Sequence, residues 1–230
     1  MTAQRGVKPS CVVFMARNLP AANFAGRGCF KTAGDVYNST GMREHHRPME
    51  HVAQLRMSIS AGGVRPAVPV ELPEGCLMRG YMSGDEKGWM ELFGLCGFDG
   101  WDRGRFDASM SQPERKEGSR VVLLGDRVVA ATFAICSDAE AKVGRIDYVV
   151  SHPDHRGKGL GRAVCAGVLD YLLGCGYETV ELFTDDWRLP AIGLYMSLGF
   201  SPEMTGEDMP ARWEAVMGRL AASERDEDQR

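Results

Sequence analysis

The chain has 230 residues, 44% of them hydrophobic and 25% charged, with a net charge of −4. That is the composition of a globular protein, and no apolar run approaches the roughly 20 residues needed to span a bilayer, so a soluble, cytoplasmic protein with no membrane partner is expected. Seven scattered cysteines, an odd number with no Cys-x-x-Cys pair, argue against a disulfide framework and read as reduced thiols.

The net charge hides an asymmetry. Residues 1 to 56 carry eight Lys/Arg against three acids, and no acid precedes Asp35. A nucleic-acid arm or an Arg-rich transit peptide would explain this. However, Gly, Pro, Asn and Ser interrupt every apolar stretch, and the best of them, Cys11 to Met15, is five residues long. Residues 1–67 are therefore expected to be a basic, poorly ordered extension, with nucleic acid not among the partners. His45, His46 and His51 have no cysteine or carboxylate at ligand spacing, so no metal is expected.

From Leu72 onward the pattern becomes regular. Cys76 to Tyr81 reads as a strand, and Asp85 to Leu95 as a helix with Trp89, Leu92 and Phe93 facing inward. A second short helix is expected over 103–112. Two strands follow, Arg120 to Leu124 and Val128 to Cys136, joined by the hairpin loop Gly125-Asp126-Arg127. Val143 to Val150 is rich in β-branched and aromatic residues and predicts a strand, stopped by Ser151-His152-Pro153. Leu160, Val164, Val168, Leu169 and Leu172 then share one helical face up to Gly174 and Gly176. Thr179 to Thr184 predicts a strand and Leu189 to Ser197 a helix. Ser201 to Pro210 is mostly turn formers, Arg212 to Leu220 predicts a last helix, and 221–230 a charged tail. The domain proper is accordingly placed at 68–220.

Between the strand ending at Val150 and the helix opening at Leu160 stands His155-Arg156-Gly157-Lys158-Gly159-Leu160-Gly161. Three glycines without Cβ atoms let the backbone turn tightly and bring several N–H groups to one anion. The helix that follows adds free N–H donors and the positive end of its dipole. Arg156, Lys158 and Arg162 surround the place with charge suited to a polyphosphate. The P-loop string, Gly-x-x-x-x-Gly-Lys followed by Ser or Thr, is absent. A dinucleotide fold needs an acid roughly twenty residues on; Glu178 and Glu181 lie in range, but cations inside the loop are unusual for it.

A third family fits both this loop and a later string. Arg156-x-x-Gly159-x-Gly161 resembles the acyl-CoA signature of the GNAT superfamily of N-acetyltransferases, and Ala191-Ile-Gly-Leu-Tyr195-Met-Ser-Leu-Gly199-Phe200 is similar to its second signature. Arg79-Gly-Tyr-Met-Ser-Gly-Asp-Glu-Lys-Gly-Trp89 resembles the first strand and helix of many bacterial members, so the likeness covers about Leu72 to Phe200. It implies an α/β (α+β) fold with a mixed central sheet and helices on both faces. It also implies acetyl-CoA as co-substrate and an amine acceptor that the sequence does not identify. Val149, Val150, Arg156, Gly157, Lys158, Gly159, Leu160, Gly161 and Arg162 would hold the CoA. Asp185-Asp186-Trp187-Arg188 occupies the stretch where many members carry an Asn on the pantetheine, and Arg188 is expected in its place. Tyr195 would meet the leaving thiolate, although at its spacing from Ala191 and Leu198 it could equally be a core residue. Where the family often has a strand glutamate this chain has Arg145, leaving Asp147 as the nearest acid on the strand for the amine proton. Without that glutamate, a non-catalytic acyl-CoA-binding sensor or scaffold stands as the alternative.

Overall fold

In a computed structural model, residues 53–63 and 71–228 are described. The basic segment up to residue 52, with its three histidines, lies outside them. In chain order the elements are β1 (Leu55–Ser60), β2 (Cys76–Gly80), α1 (Glu86–Leu95), α2 (Arg103–Ser109), α3 (Pro113–Gly118), β3 (Arg120–Leu124), β4 (Arg127–Asp138) and β5 (Val143–Ser151). They continue with α4 (Leu160–Gly174), β6 (Thr179–Thr184), α5 (Leu189–Ser197), β7 (Ser201–Pro202) and α6 (Met209–Asp228). The seven strands form one sheet in the order β2-β3-β4-β5-β6-β1-β7. Every pairing is antiparallel except β5 with β6.

Alternation along β4 divides the core between the two sheet faces. Phe133 packs with Trp89, Leu92 and Phe93 of α1 and Phe106 of α2. Its neighbour Ala134 joins Cys165, Val168 and Leu172 of α4, Ile192 and Tyr195 of α5, and Trp213 and Val216 of α6. The short helix α3, which the sequence did not announce, lies against β4 where that strand runs on beyond its last pair with β3, Arg120↔Thr132. It approaches closely because Gly118 has no side chain: a Cβ there would stand 2.4 Å from the Tyr171 ring and 2.6 Å from Ala134 Cβ.

Two boundaries differ from the sequence reading. The fold begins at or before Leu55 rather than at 68, because Leu55, Met57 and Ile59 alternate with Arg56, Ser58 and Ser60 and so form a strand buried on one side. That strand pairs along its whole length with β6 and at Met57 and Ser58 with β7. At the other end, α6 runs to Asp228, so the segment expected as a tail continues the last helix. The second helix also ends earlier than expected, at Ser109.

Candidate active site

The site starts from an irregularity in β5. Ala131 faces Val150 and Phe133 faces Asp147, so the single residue Thr132 on β4 opposes both Tyr148 and Val149. This is a β-bulge, and Tyr148 takes the left-handed conformation, φ +51°, that a non-glycine residue seldom adopts. Thr132, fully buried, donates its hydroxyl to the Asp147 carbonyl at 2.9 Å and fixes the bend. The parallel pairing of β5 with β6 stops just before it, at Arg145↔Glu181. Beyond that pair no backbone ladder joins the two strands.

At the parted end of the strands lies a cleft of about 520 Å³. Its walls contain Val149 and Val150 of β5, Arg156, Gly157, Gly159, Leu160, Gly161 and Arg162 of the turn and α4, and Arg188 and Tyr195 at α5. Ten of the twelve sequence-derived site residues therefore meet here. Gly159, with φ +76°, caps α4 in a conformation that costs other residues energy. Gly161 leaves open the space in which a Cβ would stand 3.3 Å from Leu194 and 3.4 Å from Ser151 Oγ. Arg162 ties α4 to α5 through Ser197 Oγ at 2.8 Å. Arg156 is exposed and has no ion-pair partner among the described residues. Lys158 is not among the lining residues; its Nζ lies 3.4 Å from His155 Nδ1 and 3.5 Å from the Asp154 carbonyl.

Tyr195 is 6% exposed, its ring edge-on to Phe200, and burial pushes its phenol well above the ordinary value. Its hydroxyl has no hydrogen-bond partner among the described residues. Arg188 donates to Asp185 Oδ2 at 2.9 Å and lies between two rings, with its Cζ 4.3 Å from the centroid of Trp187 and 5.2 Å from that of Phe98.

Asp147 does not line the cleft with the others. Its strand neighbour Ile146 points to the α4 face and packs in the core that holds Tyr195. Asp147 consequently points to the opposite face, where Arg115 Nη2 stands 3.4 Å from its Oδ2. Burial pushes its carboxyl above the usual carboxylate range, against the pull of Arg115 and Arg145. The two candidates thus flank the parting of β5 and β6 from its two sides.

Sequence reasoning missed Cys96, Phe98, Tyr148 and Arg115. Cys96 and Phe98 enter the cleft from the loop after α1, and Cys96 Sγ lies 3.4 Å from the Ser151 carbonyl. The bulge turns Tyr148 to the face of Trp101 and Phe133, and no local pattern announces a bulge. Among the described residues no group of three His, Cys, Asp or Glu side chains converges as metal ligands, and no helix is long and apolar enough to cross a membrane.

The family model described as Acetyltransferase (GNAT) family matches residues 87–200. A protein named mycothiol acetyltransferase from Kytococcus sedentarius is 31% identical over 148 residues, covering 61% of this chain and 50% of that protein. One of the same name from Thermobispora bispora is 30% identical over 147 residues, covering 59% and 50%. The chain spans about half the length of the curated relatives it matches. Among solved structures, a GCN5-related N-acetyltransferase from Sphaerobacter thermophilus superposes with a TM-score of 0.53 at 25% identity, covering 66% of this chain and 50% of that one.

Proposed function

The chain belongs to the acetyltransferase (GNAT) family, and we propose on that premise that it moves an acetyl group from acetyl-CoA to an amine. The observation that carries this reading is the cleft where β5 and β6 part, with a glycine-capped helix N-terminus on one wall and Tyr195 on another. Acetyl-CoA would supply the acyl thioester. Its pyrophosphate fits the N–H groups of residues 157–161 with Arg156 beside them, a ready anion site at a helix start. The relatives that carry the name mycothiol acetyltransferase favour a small-molecule amine over a protein as acceptor.

An amine of pKa near 10 is unprotonated in only about one molecule in a thousand at pH 7, a handicap of roughly 4 kcal/mol. Asp147, on the face opposite Tyr195, is assigned to take that proton at a carboxylate oxygen. Tyr195 Oη is assigned to the departing sulfur. A phenol near 10 facing a thiol near 8.5 makes full proton transfer uphill by about 2 kcal/mol, and burial of Tyr195 adds to this, so the hydroxyl donates a hydrogen bond and keeps its proton.

The test is calorimetry and thiol release with a panel of small amines. Acetyl-CoA should bind the wild type, and Gly159→Asp, which sets a carboxylate at the mouth of the anion site, should abolish binding while circular dichroism stays native. Unchanged affinity in that variant would sink the site assignment. Binding without thiol release on any amine would leave an acyl-CoA-binding module in place of an enzyme.

A further inference from the structure

Arg115 is the least expected charge in the molecule. It sits in α3 within Pro-Glu-Arg-Lys-Glu-Gly, a string that reads as solvated, yet its side chain is only 12% exposed. Removing a guanidinium from water is costly unless an anion compensates. Its Nε and Nη1 are buried without a hydrogen-bond partner among the described residues. One broad contact is the ring of Phe133, 4.7 Å from Cζ to centroid, a cation–π arrangement. Among the described residues, its one carboxylate within ion-pair distance is Asp147.

The other groups that face Asp147 are already committed. Arg145, on the same strand, gives its Nε and Nη2 to Glu181 at 2.8 and 2.7 Å and its Nη2 to Ser137 at 2.6 Å. Arg105, from α2, lies over Trp101 and donates to the Gly100 carbonyl and, at 3.4 Å, to the Tyr148 hydroxyl. The Tyr148 backbone N–H also favours the charged form of Asp147, and Tyr195 senses that charge from the other face. Arg115 itself cannot swing away easily. Its helix is fixed at one end by Pro113 and at the other by the close seating of Gly118 on Tyr171 and Ala134.

We propose that Arg115 is a positioning residue that keeps the partly buried Asp147 carboxylate ionised and aimed, so that it stands ready to accept the amine proton at neutral pH. The proposal rests on the reading of Asp147 as the proton acceptor. An opposite charge within about 4–6 Å favours the ionised carboxylate by one to three pH units, and burial works the other way. Removing Arg115 leaves burial unopposed on that side, so Asp147 takes up its proton at higher pH and is lost as a base in the acid arm of the rate profile.

The experiment is a pH titration of the Asp147 carboxyl carbon by NMR in the full chain, with 13C-labelled aspartate and the signal assigned through Asp147→Asn. In Arg115→Met the midpoint should rise by about one pH unit, tenfold in proton affinity, and in Arg115→Lys it should stay near that of the wild type. The acid limb of kcat/KM for thiol release should move with it, so that the loss in Arg115→Met is about tenfold below the midpoint and shrinks at high pH. A midpoint unmoved in Arg115→Met, or moved equally in Arg115→Lys, would overturn the proposal. If Arg115→Met does not fold, Arg115→Gln, which keeps polarity and removes charge, is titrated instead with the same expectation. A shifted midpoint in a protein that releases no thiol supports the role of Arg115 and counts against acetyl transfer, which separates the two readings.

Discussion

Tyr195 belongs to two environments at once. Its ring packs among Ile192, Phe200 and Trp213, while its residue lines the cleft. The core role and the chemical role that its spacing suggested are therefore compatible, because a phenol has an apolar body and a polar tip. Since the hydroxyl has no partner to lose among the described residues, Tyr195→Phe should leave stability and acetyl-CoA affinity close to wild type and lower kcat by about 10²-fold, the usual cost of one donor to a developing anion. Steady-state thiol release together with calorimetry measures both, and a wild-type kcat would return the residue to the core alone. At this scale the glycine loop was legible, because its glycines and cations fall within seven residues of sequence and tertiary folding only had to preserve their order. Arg115, Cys96 and Phe98 were not, because they reach the region from α3 and from the loop after α1, far from the glycine loop in sequence. An arginine flanked by Glu114 and Lys116 carries no sign that it is buried.

Among the elements, the parting of β5 and β6 is pinned at one side chain. Glu181, its side chain 4% exposed, stands at the last paired position and receives Arg145 from β5 at 2.7 Å and Arg56 from β1 at 2.8 Å. Burial works against its charge, but Ser137 and the two arginines hold its carboxyl below the usual range. Replacing it by Gln should cost about 2 kcal/mol, less than the roughly 3–5 kcal/mol of a fully buried pair because both arginines are about a third exposed. A carboxyl whose folded pKa is depressed contributes stability above its unfolded value, near 4.3, and loses it as pH falls through the folded value. Urea denaturation should accordingly find the gap between wild type and Glu181→Gln wider at pH 7 than at pH 3. An equal gap at both would mean that the charge plays no part. The strands and helices from Cys76 to Ser197 were legible because period-2 and period-3.6 patterns are local. The bulge at Tyr148 and the helix α3 were not, since both depend on what packs against them.

For the whole molecule, the informative element is β1. The sequence reading placed residues up to 67 outside the fold because polar and turn-forming residues break every apolar run, yet in Leu55-Arg-Met-Ser-Ile-Ser60 alternation itself is the signal. A chain starting at Val68 loses Leu55, Met57 and Ile59 from the core, each worth about 1.5–3 kcal/mol of burial, and strips β6 of its antiparallel neighbour. The sum is of the order of the entire stability of a small domain, so that chain should be insoluble or melt many degrees lower. A truncated protein with the melting curve of the full chain would show the strand to be dispensable.

The same strand sets the order in which the protein can be made. Leu55 pairs with Thr184, and Met57 with Pro202, so a segment near the start of the sheet waits for partners synthesised much later. At about 5–20 residues per second, the intervening 130 or so residues take on the order of 6–25 s to emerge. Throughout that interval the apolar side of β1 has no seat in the sheet and β5 has no parallel neighbour. The central cleft is thus among the last features to form on the ribosome, and the nascent chain carries a short, half-apolar strand that a chaperone or a wrong edge could capture before its own β6 arrives.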